Sequence, residues 1–198
     1  IAGQLAFVVG SYHLLKHNKG KGVMIGHMDD MDPRVVTVIG AGVAGTQSIL
    51  KAIDNKALVK VVDSSQSKLD DLKSKYGTEN VEYILSSKDS IQVSVNESDL
   101  VIGSVYVVGK EAPKVVTKDM LSSMNPGTVM VDVSIDQGGC FETSKPTTHD
   151  SPTFLENDIV HYCVTNMPGA VPLTATEALN KVSLSYVEKL ANNGIQNA

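Results

Sequence analysis

Hydrophobic and polar positions follow two alternating periods along this chain. Residues 2–17 carry Leu5, Val8, Val9, Tyr12 and Leu15 at helical spacing and end near Asn18-Lys19-Gly20, which predicts a helix. Gly26 to Pro33 is polar and closed by proline, as a loop is. From there on, short apolar, β-branched runs trade places with helical stretches. Residues 34–39, 58–63, 81–85, 100–103, 128–133 and 159–164 read as strands. Residues 43–53, 67–76, 88–95, 117–124 and 176–192 read as helices, with Ser65 or Ser67 capping the second of these.

Strands that are apolar throughout are buried on both faces, and their alternation with helices implies parallel pairing. The fold class expected is α/β: a Rossmann-type doubly wound parallel sheet with helices on both faces. Its 198 residues fit one domain with room for a sizeable core. Residues 1–20 are expected to form an interdomain helix, with apolar side chains on more than one face and a tendency to self-associate when exposed. Residues 173–198 are expected to hold a C-terminal helix.

Composition narrows the function classes. Apolar residues make up 42% and charged residues 20%, as in ordinary soluble domains. A net charge of −5 gives no basic surface for nucleic acid or an anionic membrane, and no apolar run is long enough to cross a bilayer. Cys140 and Cys163 lack metal-ligand spacing, which suits a reduced, cytoplasmic protein. The chain opens on Ile1 with no basic region before its first helix, and so reads as mid-protein sequence rather than a signal peptide.

The chemistry concentrates at Gly40-Ala41-Gly42-Val43-Ala44-Gly45, a G-x-G-x-x-G between a strand and a helix. Gly40 allows the tight turn, Gly42 lets backbone approach a pyrophosphate, and Gly45 lets helix pack on strand. The helix N-terminus offers N–H groups and partial positive charge to the phosphates. Asp63 ends the next strand, 18 residues after Gly45. A carboxylate there accepts hydrogen bonds from the adenosine ribose and repels a 2′-phosphate. With only Lys68 nearby as a cation, the cofactor expected is NAD rather than NADP.

Three stretches resemble a known family. Val131 to Thr148 (VDVSIDQGGCFETSKPTT) resembles the signature of alanine dehydrogenase. Asn166-Met167-Pro168-Gly169-Ala170-Val171-Pro172, followed by Thr174 and Thr176, is a second such stretch, and Asp99 to Val105 a third. The chain is thereby identified as a member of the alanine dehydrogenase and nicotinamide nucleotide transhydrogenase family. The Asp136-Gln137-Gly138-Gly139 and NMPGAVP runs favour the dehydrogenase branch, as does the compact look of residues 145–159.

The resemblance implies reversible oxidative deamination of L-alanine to pyruvate and ammonia, with hydride passing to NAD. It places the catalytic aspartate on Asp136, just past a strand's carboxyl end, where a carboxylate can act on water and amine. It implies cofactor contacts at Val43, at Ser86 or Ser87, at Val105 and Tyr106, from Val133 through Ile135 to Asp136, and from Val164 through Asn166 to Met167. Lys145 stands where relatives often carry arginine. The family's substrate-binding arginine and lysine and its catalytic histidine lie in a separate, N-terminal domain with no counterpart here. This chain alone is therefore expected to bind cofactor and turn over little. L-Alanine or pyruvate would be met through that other domain, and a homo-oligomer, hexameric or dimeric, is expected. The alternative is a stand-alone NAD(H)-binding module or the NAD-binding component of a transhydrogenase.

Some residues invite other readings. His161 sits on an apolar strand and reads as a hydrogen-bonded core residue. His13 and His17 share metal-ligand spacing on a helix but lack a third ligand, and read as surface residues. Cys140 reads as a small packed side chain rather than a nucleophile. Asp29, Asp30 and Asp32 read as a solvated loop. Two departures from the family pattern stand out: that acidic loop, and Val108 before Gly109 where relatives place proline.

Overall fold

β1 (Val35–Ile39) is an interior strand of a seven-stranded sheet in a computed structural model that describes residues 1–107 and 109–195. Val108 lies outside the described residues. On one side of β1 come β2 (Leu58–Asp63) and β3 (Val81–Leu85). On the other come β4 (Leu100–Gly103), β5 (Val129–Asp132), β7 (Ile159–Tyr162) and β6 (Thr153–Glu156) at the edge. Every pairing is parallel except β6 with β7. The order β3-β2-β1-β4-β5-β7-β6 makes the fold doubly wound, as the alternation of elements implied.

The strands form because their runs are apolar and largely β-branched, and they are buried because helices cover both faces. α1 (Ala2–His13), α2 (Val43–Asp54) and α3 (Gln66–Tyr76) bury Phe7, Ile49 and Leu69 with Val36, Val38, Val59 and Val61 of the sheet. On the opposite face, α4 (Lys88–Glu97) and the 3-10 turn Lys118–Ser123 bury Ile91, Val95, Met120 and Leu121 with Ile39, Val62, Val101 and Met130. β2 is not apolar throughout. Lys60 is buried within it, and its ammonium is neutralised by Glu97 and, at 3.6 Å, by Glu82.

Several elements differ from expectation. The first helix ends at His13, with a 3-10 turn at Lys16–Asn18 and Lys19 left-handed (φ 67°) behind it. It is not left exposed. Ala6, Phe7 and Leu14 are buried, and the Ser48 hydroxyl of α2 donates to the Gly3 carbonyl at 2.7 Å, so α1 is one of the layers covering the sheet. The stretch at 117–124 is 3-10, and it serves chiefly to bury Met120 and Leu121. β6 was not foreseen. It is four residues long and half-exposed, and its hairpin turn uses Asn157 and Asp158 at φ 51° and 60° instead of a glycine.

The chain divides into two compact units, Ile1–Met167 and Pro168–Ala198. The second contains α5 (Pro172–Asn193), which starts four residues before the expected Thr176. The fixed φ of Pro172 suits a first helical turn.

His161 is fully buried. Nδ1 faces the Ile159 carbonyl at 3.1 Å, Nε2 meets the Thr143 hydroxyl at 2.8 Å, and the ring stacks on Phe154. It is the satisfied core residue that the strand pattern suggested. His13 is not at the surface: it is buried against Tyr162 and Tyr12, while His17 remains exposed. Burial lowers the pKa of both His13 and His161. Among the described residues no group of three or more His, Cys, Asp or Glu could hold a metal ion, and no helix is long and apolar enough to cross a membrane.

Candidate functional site

Parallel register brings the carboxyl ends of the central strands to one edge: Ile39 pairs with Val62 and with Gly103, and Gly103 pairs with Asp132. The chain leaves β1 toward β2 on one side, while β4 lies on the other. A crevice at such a reversal is where doubly wound sheets bind ligands.

The glycine loop fills this position. Gly40 turns at φ 95°, its N–H donating to the Val62 carbonyl at 2.8 Å, and a Cβ there would lie 2.7 Å from the Ser104 carbonyl oxygen. At Gly45 a Cβ would lie 1.8 Å from the Gly40 carbonyl oxygen and 2.5 Å from Ser104 Oγ. Gly42 is different: a Cβ would meet nothing within 4 Å. Two of the three glycines therefore close the loop against the protein, and the third faces open space. Gly42 is the N-cap of α2 and has no side chain to cap it. The first-turn N–H groups of Val43, Ala44 and Gly45 have no intrahelical acceptor, and the helix dipole adds partial positive charge. A diphosphate would supply the missing acceptors, so these residues fit the group that the motif implies. Val43 is 91% exposed, at the mouth of the loop.

Asp63 ends β2 beside the loop. Oδ2 accepts the Ala41 N–H at 2.7 Å, Oδ1 accepts the Ser65 N–H at 2.9 Å, and Lys68 Nζ lies 3.9 Å from Oδ2. Asp63 is 7% exposed and thus both braces the loop and borders the crevice. Ser65, not Ser67, caps α3. After β3, the Ser86 N–H donates to the Asp63 carbonyl, and Ser87 forms a reciprocal capping box with Ser90 at the start of α4. Ser87 Oγ is thus already engaged with Ser90, while Ser86 is half-buried beside Asp63.

Beyond the reversal, Ser104 Oγ donates to the Gly40 carbonyl at 2.6 Å and ties the β4 end to the loop. Val105 is half-buried, its carbonyl accepting the Ser134 hydroxyl at 2.8 Å, and Tyr106 is 63% exposed. After β5, the Val133 N–H donates to the Gly103 carbonyl at 2.8 Å. The 3-10 turn Ile135–Gln137 then buries Ile135 and leaves Asp136 exposed. After β7, Val164 and Met167 are buried in the core, and exposed Asn166 is left-handed at φ 54°.

Lys145 follows Ser144, which bonds Asp132 at this edge, but the Lys145 side chain turns away. Its Nζ lies 3.7 Å from Glu156 and 5.4 Å from the centre of the Phe154 ring. Glu156 pairs with Ile159, the first residue of β7, so the side chain runs toward the opposite end of the sheet. Glu156 has its pKa lowered by the hydrogen bond and charge of Lys118 first, and by Lys145 after it.

Sequence reasoning missed Asp132. It is fully buried at the end of β5, and its carboxylate accepts the N–H groups of Ser134 (2.9 Å), Cys140 (2.8 Å) and Phe141 (3.3 Å) and the Ser144 hydroxyl (2.5 Å). The signal was present, because Val131-Asp132 closes an apolar strand as Val62-Asp63 does. Cys140 and Cys163 are fully buried nearby. Burial first, then the charge of Asp132, pushes both thiols up, that of Cys163 to about 12, which fits a packing role.

The family model described as "Alanine dehydrogenase/PNT, C-terminal domain" matches residues 6–198. The chain belongs to this family. It is 46% identical over 198 residues to an alanine dehydrogenase of Halomonas elongata, covering 100% of this chain and 53% of that protein. It is 45% identical over 195 residues to an alanine dehydrogenase of Mycobacterium tuberculosis, covering 98% and 52%. A solved L-alanine dehydrogenase superposes with a TM-score of 0.94 at 42% identity, over 99% of this chain and 54% of that one. A transhydrogenase from Sinorhizobium meliloti shares the fold, with a TM-score of 0.82 at 22% identity, over 98% and 55%. This alanine dehydrogenase/PNT C-terminal domain thus spans about half the length of the relatives it matches. In this family member the glycine loop, Asp63 and the Asp136 turn all stand on one edge of the sheet.

Proposed function

We propose that this chain is the NAD(H)-binding half of an L-alanine dehydrogenase. The observation that carries the reading is the pairing of an open cradle at Gly42 with the Asp63 carboxylate beside it. The backbone N–H groups of Val43, Ala44 and Gly45 would hold the pyrophosphate. Asp63, with Lys68 beside it, would accept the adenosine ribose hydroxyls, while Ser86 and Ser87 border the adenine. A 2′-phosphate would meet the negative charge of Asp63, so NAD(H) is preferred to NADP(H). Val105, Tyr106, Val133, Ile135, Asn166 and Met167 would enclose the nicotinamide side. Lys145 has no place in this assignment.

When bound, nicotinamide supplies the acceptor for the hydride of the amino acid. The chain's own contribution to the chemistry is Asp136. Its carboxylate stands in solvent on a short turn just past β5, where it can take or return a proton as water adds to an iminium carbon and ammonia leaves. Residues that grip the amino acid carboxylate would come from the other half of such an enzyme; L-alanine or pyruvate would be the small-molecule substrate, and a cytoplasmic homo-oligomer is part of the same proposal.

The test is a fluorescence titration of the chain with NADH and, in parallel, NADPH. NADH binding at least about tenfold tighter, a gap of about 1.4 kcal/mol, is expected. Equal binding, or none, overturns the cofactor assignment. The activity is tested by joining the chain to the N-terminal half of a relative and following alanine-dependent NADH formation, which Asp136→Asn should abolish.

A further inference from the structure

The turn that carries Asp136 is closed from two sides. Inside, Asp132 accepts from Ser134 at the start of the loop and from Cys140, Phe141 and Ser144 at its end, so one carboxylate clasps both ends. Within the loop, the Gln137 and Gly139 N–H groups return to the Ser134 carbonyl at 2.9 and 3.0 Å. Gly139 sits at φ 75°, and a Cβ there would lie 2.7 Å from Asp132 Oδ2, so the clasp needs that glycine. Outside, residues 112–118 run along the loop: the Ala112 N–H donates to the Gln137 carbonyl, the Val115 N–H to the Cys140 carbonyl and the Glu142 N–H to the Val116 carbonyl. From this segment Lys114 reaches over and donates its ammonium to the carbonyls of Gly138 and, at 2.7 Å, Gly139.

We infer that Asp132 and Lys114 are positioning residues that fix the Asp136 turn against the nicotinamide side of the site; this rests on the cofactor reading above. The two act in complementary ways. The buried anion collects loop N–H groups that would otherwise be unsatisfied, and the surface cation collects carbonyls that point outward. Neither touches the adenosine side, which Asp63 braces separately. Loosening the clasp should therefore weaken recognition of the nicotinamide end alone.

Asp132→Asn keeps the shape of the side chain but sets an NH2 among N–H donors. Lys114→Met keeps the stem and removes the charge from an exposed residue, so it stays informative should Asp132→Asn fail to fold. Each purified variant, with the parent chain, is titrated with NADH and with ADP-ribose, which lacks the nicotinamide. The expected result is a loss of NADH affinity of roughly tenfold with ADP-ribose affinity unchanged, together with faster amide exchange at residues 134–141. NADH affinity unchanged in every variant that folds, or an equal loss for both ligands, overturns the positioning role. A parent chain that binds neither ligand overturns the cofactor reading itself, and the positioning role with it.

Discussion

The Ala41 N–H donates to Asp63 Oδ2 at 2.7 Å, so the carboxylate proposed to read the adenosine ribose also holds the middle of the glycine loop. Removing the charge should therefore have two effects, one on the proposed ribose contact and one on the loop. Asp63→Ser keeps an acceptor within reach of the backbone but drops the negative charge. NADPH should then gain on NADH, narrowing the preference by roughly tenfold or more, about 1.4 kcal/mol. Titration with both nucleotides checks this, and an unchanged ratio would show that Asp63 does not read the ribose.

The glycines of the loop separate into two kinds, and substitution should expose the difference. Gly42→Ala places a methyl in open space at an ordinary φ of −72°, so the melting temperature should stay within a few degrees while NADH affinity collapses. Gly45→Ala drives a methyl onto the Gly40 carbonyl, and overpacking of this kind costs about 1–3 kcal/mol or more. Thermal unfolding without ligand should single out the second variant. If Gly42→Ala were the less stable of the two, the geometry assigned to the loop would be wrong.

Acid should destabilise the domain from a pH just above the ordinary histidine value. Burial depresses the pKa of His161 and of His13 below 6.5 in the folded chain. As pH falls through 6.5 the unfolded chain takes up these protons and the folded chain does not, so stability is present above that pH and drains away below it. Melting temperature should fall between pH 7.5 and 5.5, values chosen to bracket the change at about 6.5. His161→Gln should flatten part of that slope, leaving the part due to His13. A slope identical to that of the parent would remove His161 from the account.

Both thiols should be silent in the native chain. Cys140 and Cys163 are fully buried, and their raised pKa values leave almost no thiolate at pH 8. A chromogenic disulfide reagent should react with both only after denaturant is added. Fast labelling of the folded chain would contradict this packing.

The sequence by itself determined the strand and helix alternation, the parallel sheet and the place of the glycine loop. These follow from local rules: burial on both faces demands apolar strands, and a G-x-G-x-x-G between strand and helix leaves few alternatives. The two aspartates divide the readings differently. Asp63 was legible because its distance from Gly45 is set by one βαβ unit. Asp132 was not, because its four donor residues lie between 134 and 144 in a loop whose closure has no sequence period.

Tertiary structure also decided matters that pattern left open. Lys145 turned toward Glu156 because an unforeseen edge strand placed a carboxylate within reach. α1 became a covering layer because glycines at 3 and 10 let it lie close on α2 and on Leu100. Whether a charge pairs, or an apolar face is covered, depends on neighbours far away in sequence. Local pattern tells which residues need partners, and only the packed fold supplies them.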